Sequence, residues 1–313
     1  MFKRIIALGF LVGLCFSLLP SASVPTALAA QATPCAPNTD DEVEAIANAI
    51  NQAYIDRDVS QLDGLLADDI IRDSPRGPET GKDQAVASFD RFFAAFPDLD
   101  PTFNLVLAAS PLAAVHYTAT GTQATALGGV EPTGEPVTFD GMYLIEVTCG
   151  KISHMWSAVD QLAQRGEGTS ELATPVMDDD ATPSDCAALT DESAATLMDA
   201  WYSDVWGGDL SALASITTED AYHHWATGPD TSGQADQQAH LEETIAQFPG
   251  LAVTYANLVV DGDYIAVTWG DPNVDPNWGG INIFRVECGL IDEVWSEMDL
   301  TNLPTGAEAT PSA

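Results

Sequence analysis

Basic residues are scarce in this chain: 10 Lys and Arg stand against 47 Asp and Glu over 313 residues, a formal net charge of −37. A surface so acidic repels phosphate backbones and anionic lipid heads, which argues against nucleic acid or a membrane surface as a partner. The acids are scattered, so they read as a solubilising surface. Their one dense cluster, Asp178-Asp179-Asp180, lacks the spaced loop of a calcium site. Zinc-type spacing of His and Cys is also missing, and no metal is expected. Beyond the first thirty residues no apolar run approaches the roughly 18 residues needed to span a bilayer.

Those first thirty residues have their own pattern. Lys3 and Arg4 precede an apolar run from Ile5 to Leu19, and Ala27-Leu28-Ala29 forms a small-residue cleavage site. Residues 1–30 are thus expected to be a signal peptide, making the mature protein secreted or extracytoplasmic, without membrane insertion after cleavage. Its removal leaves 8 basic residues against 47 acidic ones, a net of −39.

The remaining chain is a duplication. Cys149-Gly150-Lys151-Ile152-Ser153-His154-Met155-Trp156-Ser157-Ala158-Val159-Asp160 returns with the same spacing as Cys288-Gly289-Leu290-Ile291-Asp292-Glu293-Val294-Trp295-Ser296-Glu297-Met298-Asp299. Each copy reads as a Cys-Gly turn feeding a strand. Period-two alternation places Ile152, His154, Trp156, Ala158 and Asp160 on one face, and Ile291, Glu293, Trp295, Glu297 and Asp299 on its equivalent. A carboxylate beside an aromatic there is either a desolvated acid/base or a terminal Asp tied up where the sheet ends.

Upstream, Thr39 and Glu42 form a capping box for a helix with apolar positions Val43, Ile46, Ala47, Ile50 and Tyr54. Lys82 to Phe96 carries Ala85, Phe89, Phe92, Phe93 and Phe96 at helical spacing, an aromatic stripe for the core. Strand-like runs follow. The second copy repeats this order at an offset of about 152 residues and is shorter by about 13 between its middle strands. The expected layout is domain 1 over 40–163, a solvated linker over 164–186, domain 2 over 187–303 and a disordered tail over 304–313. Helices followed by strands predict an α+β class: two tandem cone-shaped domains, each a curved antiparallel sheet packed on about three helices. The symmetry of the duplication pairs Cys35 with Cys149 and Cys186 with Cys288, as disulfides suited to an exported protein.

Several segments of the first copy, in this order, carry a family likeness: Asp68-Asp69-Ile70-Ile71, Ala95-Phe96-Pro97-Asp98-Leu99, Thr120-Gly121-Thr122, Gly129-Val130-Glu131-Pro132-Thr133-Gly134 and Gly150-Lys151-Ile152…Trp156…Asp160. Together they resemble the SnoaL-like polyketide cyclases, or ester cyclases, of the nuclear transport factor 2-like fold. The second copy looks like a diverged relative. The resemblance implies an apolar cavity within each cone, a habit of dimerising, no metal or organic cofactor, and an Asp acting as acid/base in intramolecular aldol closure. Asp160 is the position most like that Asp, with Asp299 its counterpart.

On this reading Trp156 desolvates Asp160, and His154 holds or polarises a carbonyl. Tyr143, Asp73, His116, Trp295 and His224 are further candidates for contact with a small apolar molecule, and Arg76 a weaker one. His116 sits mid-strand, where a histidine is more often a satisfied core or rim residue than a catalyst. His223 and His224 are neighbours on one strand, so one must face inward; His224, aligned with Asp73, is the candidate. Three functions stay open: an acid/base enzyme of cyclase or isomerase type working in the first cone, a non-catalytic small-ligand binder, and a structural or interaction module. The two copies are expected to pack as an internal pseudo-dimer.

Overall fold

The computed structural model describes residues 35–74, 77–127, 131–132, 134–164, 186–271, 273, 278–298 and 300. The expected signal peptide, nearly all of the linker, the tail, Arg76 and Asp299 lie outside the described residues.

The first copy begins with helix α1 (Asp40–Asp56), whose Thr39–Glu42 capping box forms as the sequence predicts, and short helix α2 (Val59–Asp63). Strands β1 (Leu66–Asp73) and β2 (Glu79–Thr80) lead into helix α3 (Lys82–Ala95). Four long strands follow, β3 (Asp100–Ala109), β4 (Leu112–Thr122), β5 (Pro136–Thr148) and β6 (Lys151–Val159), then the turn of helix α4 (Gln161–Gln164). The sheet order is β2-β1-β6-β5-β4-β3.

The second copy repeats the plan. Helix α5 (Asp191–Asp199) widens into a π-helical turn over Ala200–Val205, and a 3-10 turn (Leu210–Ala212) precedes helix α6 (Leu213–Ile216). Strands β7 (Thr217–His224) and β8 (Thr231–Ser232) flank helix α7 (Gln234–Gln247) on its N-terminal side. Strands β9 (Thr254–Asp261), β10 (Tyr264–Gly270), β11 (Gly279–Glu287) and β12 (Leu290–Met298) complete a sheet ordered β8-β7-β12-β11-β10-β9.

Each sheet is mixed, where antiparallel pairing throughout is the sequence expectation: β1 runs parallel to β6, and β7 to β12. A helix and four strands intervene before the chain returns to β1's flank, and it arrives in the same direction. The Cys-Gly turns are as read. Cys149 and Gly150 have φ of 54° and 71°, and Cys288 and Gly289 of 51° and 83°, the double positive φ of a tight hairpin. Cys186 is bonded to Cys288, with Cα atoms 5.1 Å apart, and Cys35 and Cys149 are each held in a disulfide as well. Two disulfides fit an oxidising compartment. No helix among the described residues is long and apolar enough to cross a membrane.

A bulge corrects the strand-face reading of both repeats. In β6, Ile152 pairs with Val147 while His154 pairs with Glu146, so Ser153 is an extra residue; in β12, Asp292 is extra between Ile291 and Glu293 in the same way. One inserted residue reverses every face beyond it. Ile152 and Met155 therefore both face the helices inside the first cone. Trp156 and Ala158 face the other way, into a cluster that also holds Leu105, Leu107, Met142 and Leu144 from the first copy and Val259, Tyr264, Ile283 and Trp295 from the second. The outer faces of the two sheets share this apolar layer. A bond from Ala108 N to Asp261 Oδ2, 3.0 Å long, crosses it.

Candidate functional site

The two cones differ inside. In the first, the Tyr54 ring sits among Phe89, Phe92, Phe93, Phe103, Tyr117 and Tyr143, with centroids 5.4–6.4 Å away. The Tyr143 hydroxyl is engaged by Asn51 Oδ1 and the Ala47 carbonyl, and burial raises its pKa well above the usual phenol value. Among the described residues, Tyr54, Arg72, Phe89, Phe92 and Tyr117 line a cavity of about 30 Å³, room for about one water molecule.

In the second cone the fillers are gone. Helices α3 and α7 are both 14 residues long and follow Gly81 and Gly233, so they match position by position. Phe89 is replaced by Leu241 and Phe92 by Thr244. On the sheet, Tyr143 opposes Val115 as Asn282 opposes Val267, so Asn282 stands where Tyr143 does. The result is a cavity of about 240 Å³, walled by Trp206, Trp225, Trp269, Trp278 and Phe248 and floored by His223, Asn282 and Ser296. The π-helical turn carries Tyr202 to the wall, and Trp206 follows directly after it.

The cavity's polar complement is unsatisfied. Among the described residues, the indole nitrogens of Trp206, Trp269 and Trp278, His223 Nδ1 and Asn282 Oδ1 are buried with no hydrogen-bond partner in the protein. A buried unpaired polar atom costs about 1–3 kcal/mol, and five of them belong to residues that line this one cavity. His223 Nε2 lies 2.8 Å from Ser296 Oγ, and the imidazole stacks on Trp225 at 3.4 Å, which stacks in turn on His240 at 4.2 Å. Burial pushes the His223 pKa well below the usual imidazole value, so the ring is neutral; His240 is lowered for the same reason.

The residues singled out from sequence converge elsewhere. His154 Nε2 lies 2.8 Å from Asp73 Oδ2, and its ring stacks on Trp156 at 3.7 Å, but this trio sits on the outer face of the first sheet. The second copy has a matching pair with its members exchanged: His224 occupies the Asp73 position and Glu293 that of His154, 3.0 Å apart, with Trp295 stacked on His224 at 5.7 Å. Burial alone would lower the His224 pKa, but its bonds to Asp230 and Glu293 outweigh that and raise it. His224 therefore faces the seam, and its neighbour His223 is the inward one.

Asp160 does not border the first cavity. Its carboxylate accepts the Ala163 amide at 2.8 Å and caps α4; burial raises its pKa and the backbone bonds oppose this. His116 is fully buried on the outer face, where burial lowers its pKa to about 3, and Asn104 reaches its Nδ1 at 3.2 Å. Beside it lie Asp140 and Glu297, both 1% exposed. Of the cone residues of the second copy, Asn282, Ser296 and Trp278 are not among the sequence candidates, and His223 is passed over there in favour of His224. Reading α7 against α3 exposes them, since the missing Phe residues show which cone is open.

A sequence model of the SnoaL-like polyketide cyclases matches residues 44–167, and one of the SnoaL-like domain matches residues 198–294. The chain belongs to the SnoaL-like family, twice over. Similar solved structures include AclR from Streptomyces galilaeus at 23% identity, covering 41% of this chain and 98% of that one with a TM-score of 0.37. A SnoaL-like polyketide cyclase from Agrobacterium tumefaciens is 18% identical, covering 42% and 98% with a TM-score of 0.36. An LEH-like epoxide hydrolase from M. tuberculosis is 15% identical, covering 41% and 90% with a TM-score of 0.34. No curated protein matches significantly. Membership in the family thus rests on the two sequence models, which together span both cones.

Proposed function

We propose that this chain is an exported small-molecule-binding protein, an internal pseudo-dimer in which the second cone is the working chamber and the first is its packed partner. The observation that carries this is the contrast of about 240 Å³ against about 30 Å³ in two cones of one plan. The larger value lies just under the ~300–1,000 Å³ usual for ligand pockets, which favours a compact molecule of one or two rings. Three unpartnered indole N–H donors and one amide oxygen favour a neutral ligand bearing carbonyl or ether oxygens.

Four of the seven tryptophans line the chamber, so their fluorescence reads its occupancy. Titration with two-ring ketones such as 1-tetralone is expected to quench it saturably at one molecule per chain. Thr244→Phe, which restores the first cone's filler, is expected to weaken binding at least tenfold. Quenching that is absent, or that survives Thr244→Phe, contradicts the proposal.

The His223–Ser296 pair supports a second reading, proton transfer on a carbonyl compound held in the same chamber. A neutral imidazole within reach of substrate serves as an acid/base without a cofactor. Because its pKa is lowered, hydrogen exchange at the ketone's α-carbon should be flat from pH 6 to 8 and lost in His223→Gln. Exchange at the solvent rate in the wild type contradicts this second reading and leaves binding intact.

A further inference from the structure

Strand β7 ends in two consecutive histidines that face opposite ways, His223 into the second cone and His224 toward the seam. His224 is 2% exposed and meets a carboxylate at each ring nitrogen: Nδ1 lies 3.0 Å from Asp230 Oδ2, and Nε2 lies 3.0 Å from Glu293 Oε1. A neutral imidazole has one N–H and can serve only one of these acceptors. The imidazolium donates to both. Further donors hold both carboxylates as acceptors, since Arg285 Nη2 reaches Glu293 Oε2 at 2.9 Å and the Tyr222 hydroxyl donates to Asp230 Oδ2 at 3.2 Å.

This clamp joins a strand to a loop. Glu293 belongs to β12, within the sheet, while Asp230 ends the loop 225–230 that leads from β7 to β8. The five loop residues before it, Trp225, Ala226, Thr227, Gly228 and Pro229, all line the second chamber. One wall of the chamber is thus tied at its far end to the sheet through a single histidine.

The first cone lacks this tie. Arg72 opposes Glu79 as His223 opposes Thr231, so Asp73 stands where His224 does, and Pro78 where Asp230 does. Asp73 is bonded to His154 of β6, but the loop after it, Ser74-Pro75-Arg76-Gly77-Pro78, contains no carboxylate. The loop is clamped to the sheet by a histidine in the cone that is open, and the packed cone has no counterpart.

We infer that His224 is a pH-operated latch: as the imidazolium it ties the 225–230 loop down over the second chamber, and on losing its proton it frees the loop to pass ligand in and out. The inference rests on the reading of the second cone as the working chamber. Charged and titratable groups face His224 from several elements: Tyr222 and His223 on β7, Asp230 on the loop, Glu293 on β12 with Arg285 of β11 behind it, and His116 and Asp140 across the seam. Burial opposes the charge on His224, but its bonds to Asp230 and Glu293, together with their charges, outweigh burial and raise its pKa. The latch is therefore fully engaged below the unfolded value near 6.5 and is given up as pH rises through the folded one.

Hydrogen–deuterium exchange of the ligand-free mature chain, expressed as protection relative to the free-peptide rate at each pH, tests the latch. Protection over residues 225–230 is expected to fall at least tenfold between pH 6 and pH 9 in the wild type, while that of β11 holds. Asp230→Asn, at an exposed position outside the core, should show the loosened loop already at pH 6, as should His224→Gln, whose amide carries no charge. Glu297→Gln, which removes a titrating carboxyl from the seam, should keep the wild-type fall. Release of bound 1-tetralone, followed by tryptophan fluorescence, should quicken at least fivefold over the same range and lose its pH dependence in Asp230→Asn. Protection that is constant from pH 6 to pH 9, a fall that persists in both latch variants or vanishes in Glu297→Gln, or release at one rate throughout would overturn the inference. A chain that loosens its loop as expected but takes up no ketone would contradict the proposed function and leave the latch standing.

Discussion

Glu297→Gln is expected to leave the melting temperature nearly unchanged at pH 4 and to raise it by several degrees at pH 8. Glu297 is 1% exposed; burial first, then the nearby charges of Asp160 and Asp140, push its pKa well above the usual carboxyl value. Asp140 is pushed up to about 7, chiefly by burial and against its bond from Thr118. A carboxyl whose folded pKa is raised binds its proton more tightly folded than unfolded. Its favourable share is therefore present below the unfolded value near 4 and is lost as pH rises toward the folded value.

Asp140→Asn should accordingly gain stability relative to wild type between about pH 4 and pH 7 and level off above, by on the order of 4 kcal/mol. Histidines pull the other way. His116, which faces Asp140 at 3.8 Å and whose pKa is lowered to about 3, loses its contribution as pH falls below the unfolded value near 6.5. His224 acts on both by charge and is held by Asp230 and Glu293. The difference between variant and wild type isolates the carboxyls from these opposing groups. A difference that stays constant from pH 4 to pH 8 would contradict the assignment.

Replacing Cys186 and Cys288 together by Ser is the second large effect. The bridge spans a sequence separation of 102, and closing a loop of that size removes about 4.7 kcal/mol of unfolded-chain entropy in the simple model, with measured losses of about 2–5 kcal/mol. The bridge ties the start of the second copy to the turn opening β12, which supplies Ser296 to the chamber. Urea unfolding of the double variant without reductant should therefore show a loss of at least about 2 kcal/mol relative to wild type. A loss below about 1 kcal/mol would mean that the cone is held by its apolar core alone.

Much of the fold was legible in the sequence because duplication writes it twice. The capping box at Thr39, the Cys-Gly hairpins and the helix carrying Phe89 and Phe92 each follow from local chemistry that the structure repeats. The placement of the site was not. Alternation along β6 put Trp156 and His154 inside the first cone, and a single bulged residue, Ser153, turned them outward. A bulge leaves little local signature in a strand without Gly or Pro. The first copy keeps the family pattern better, and its preserved aromatic stripe is what fills it. The substitutions Phe89 to Leu241, Phe92 to Thr244 and Tyr143 to Asn282 were visible between copies, and they are the physical cause of the open chamber.

The central claim is that the second cone alone takes a ligand into its interior. A crystal structure of the mature chain soaked with 1-tetralone tests it most directly. The account predicts density among Trp206, Trp225, Phe248 and Asn282, with one of the unpartnered indole N–H groups on the ketone oxygen, and the Tyr54 cluster of the first cone undisturbed. Density inside the first cone, with Phe89 or Phe92 displaced and the second cone empty, would contradict it.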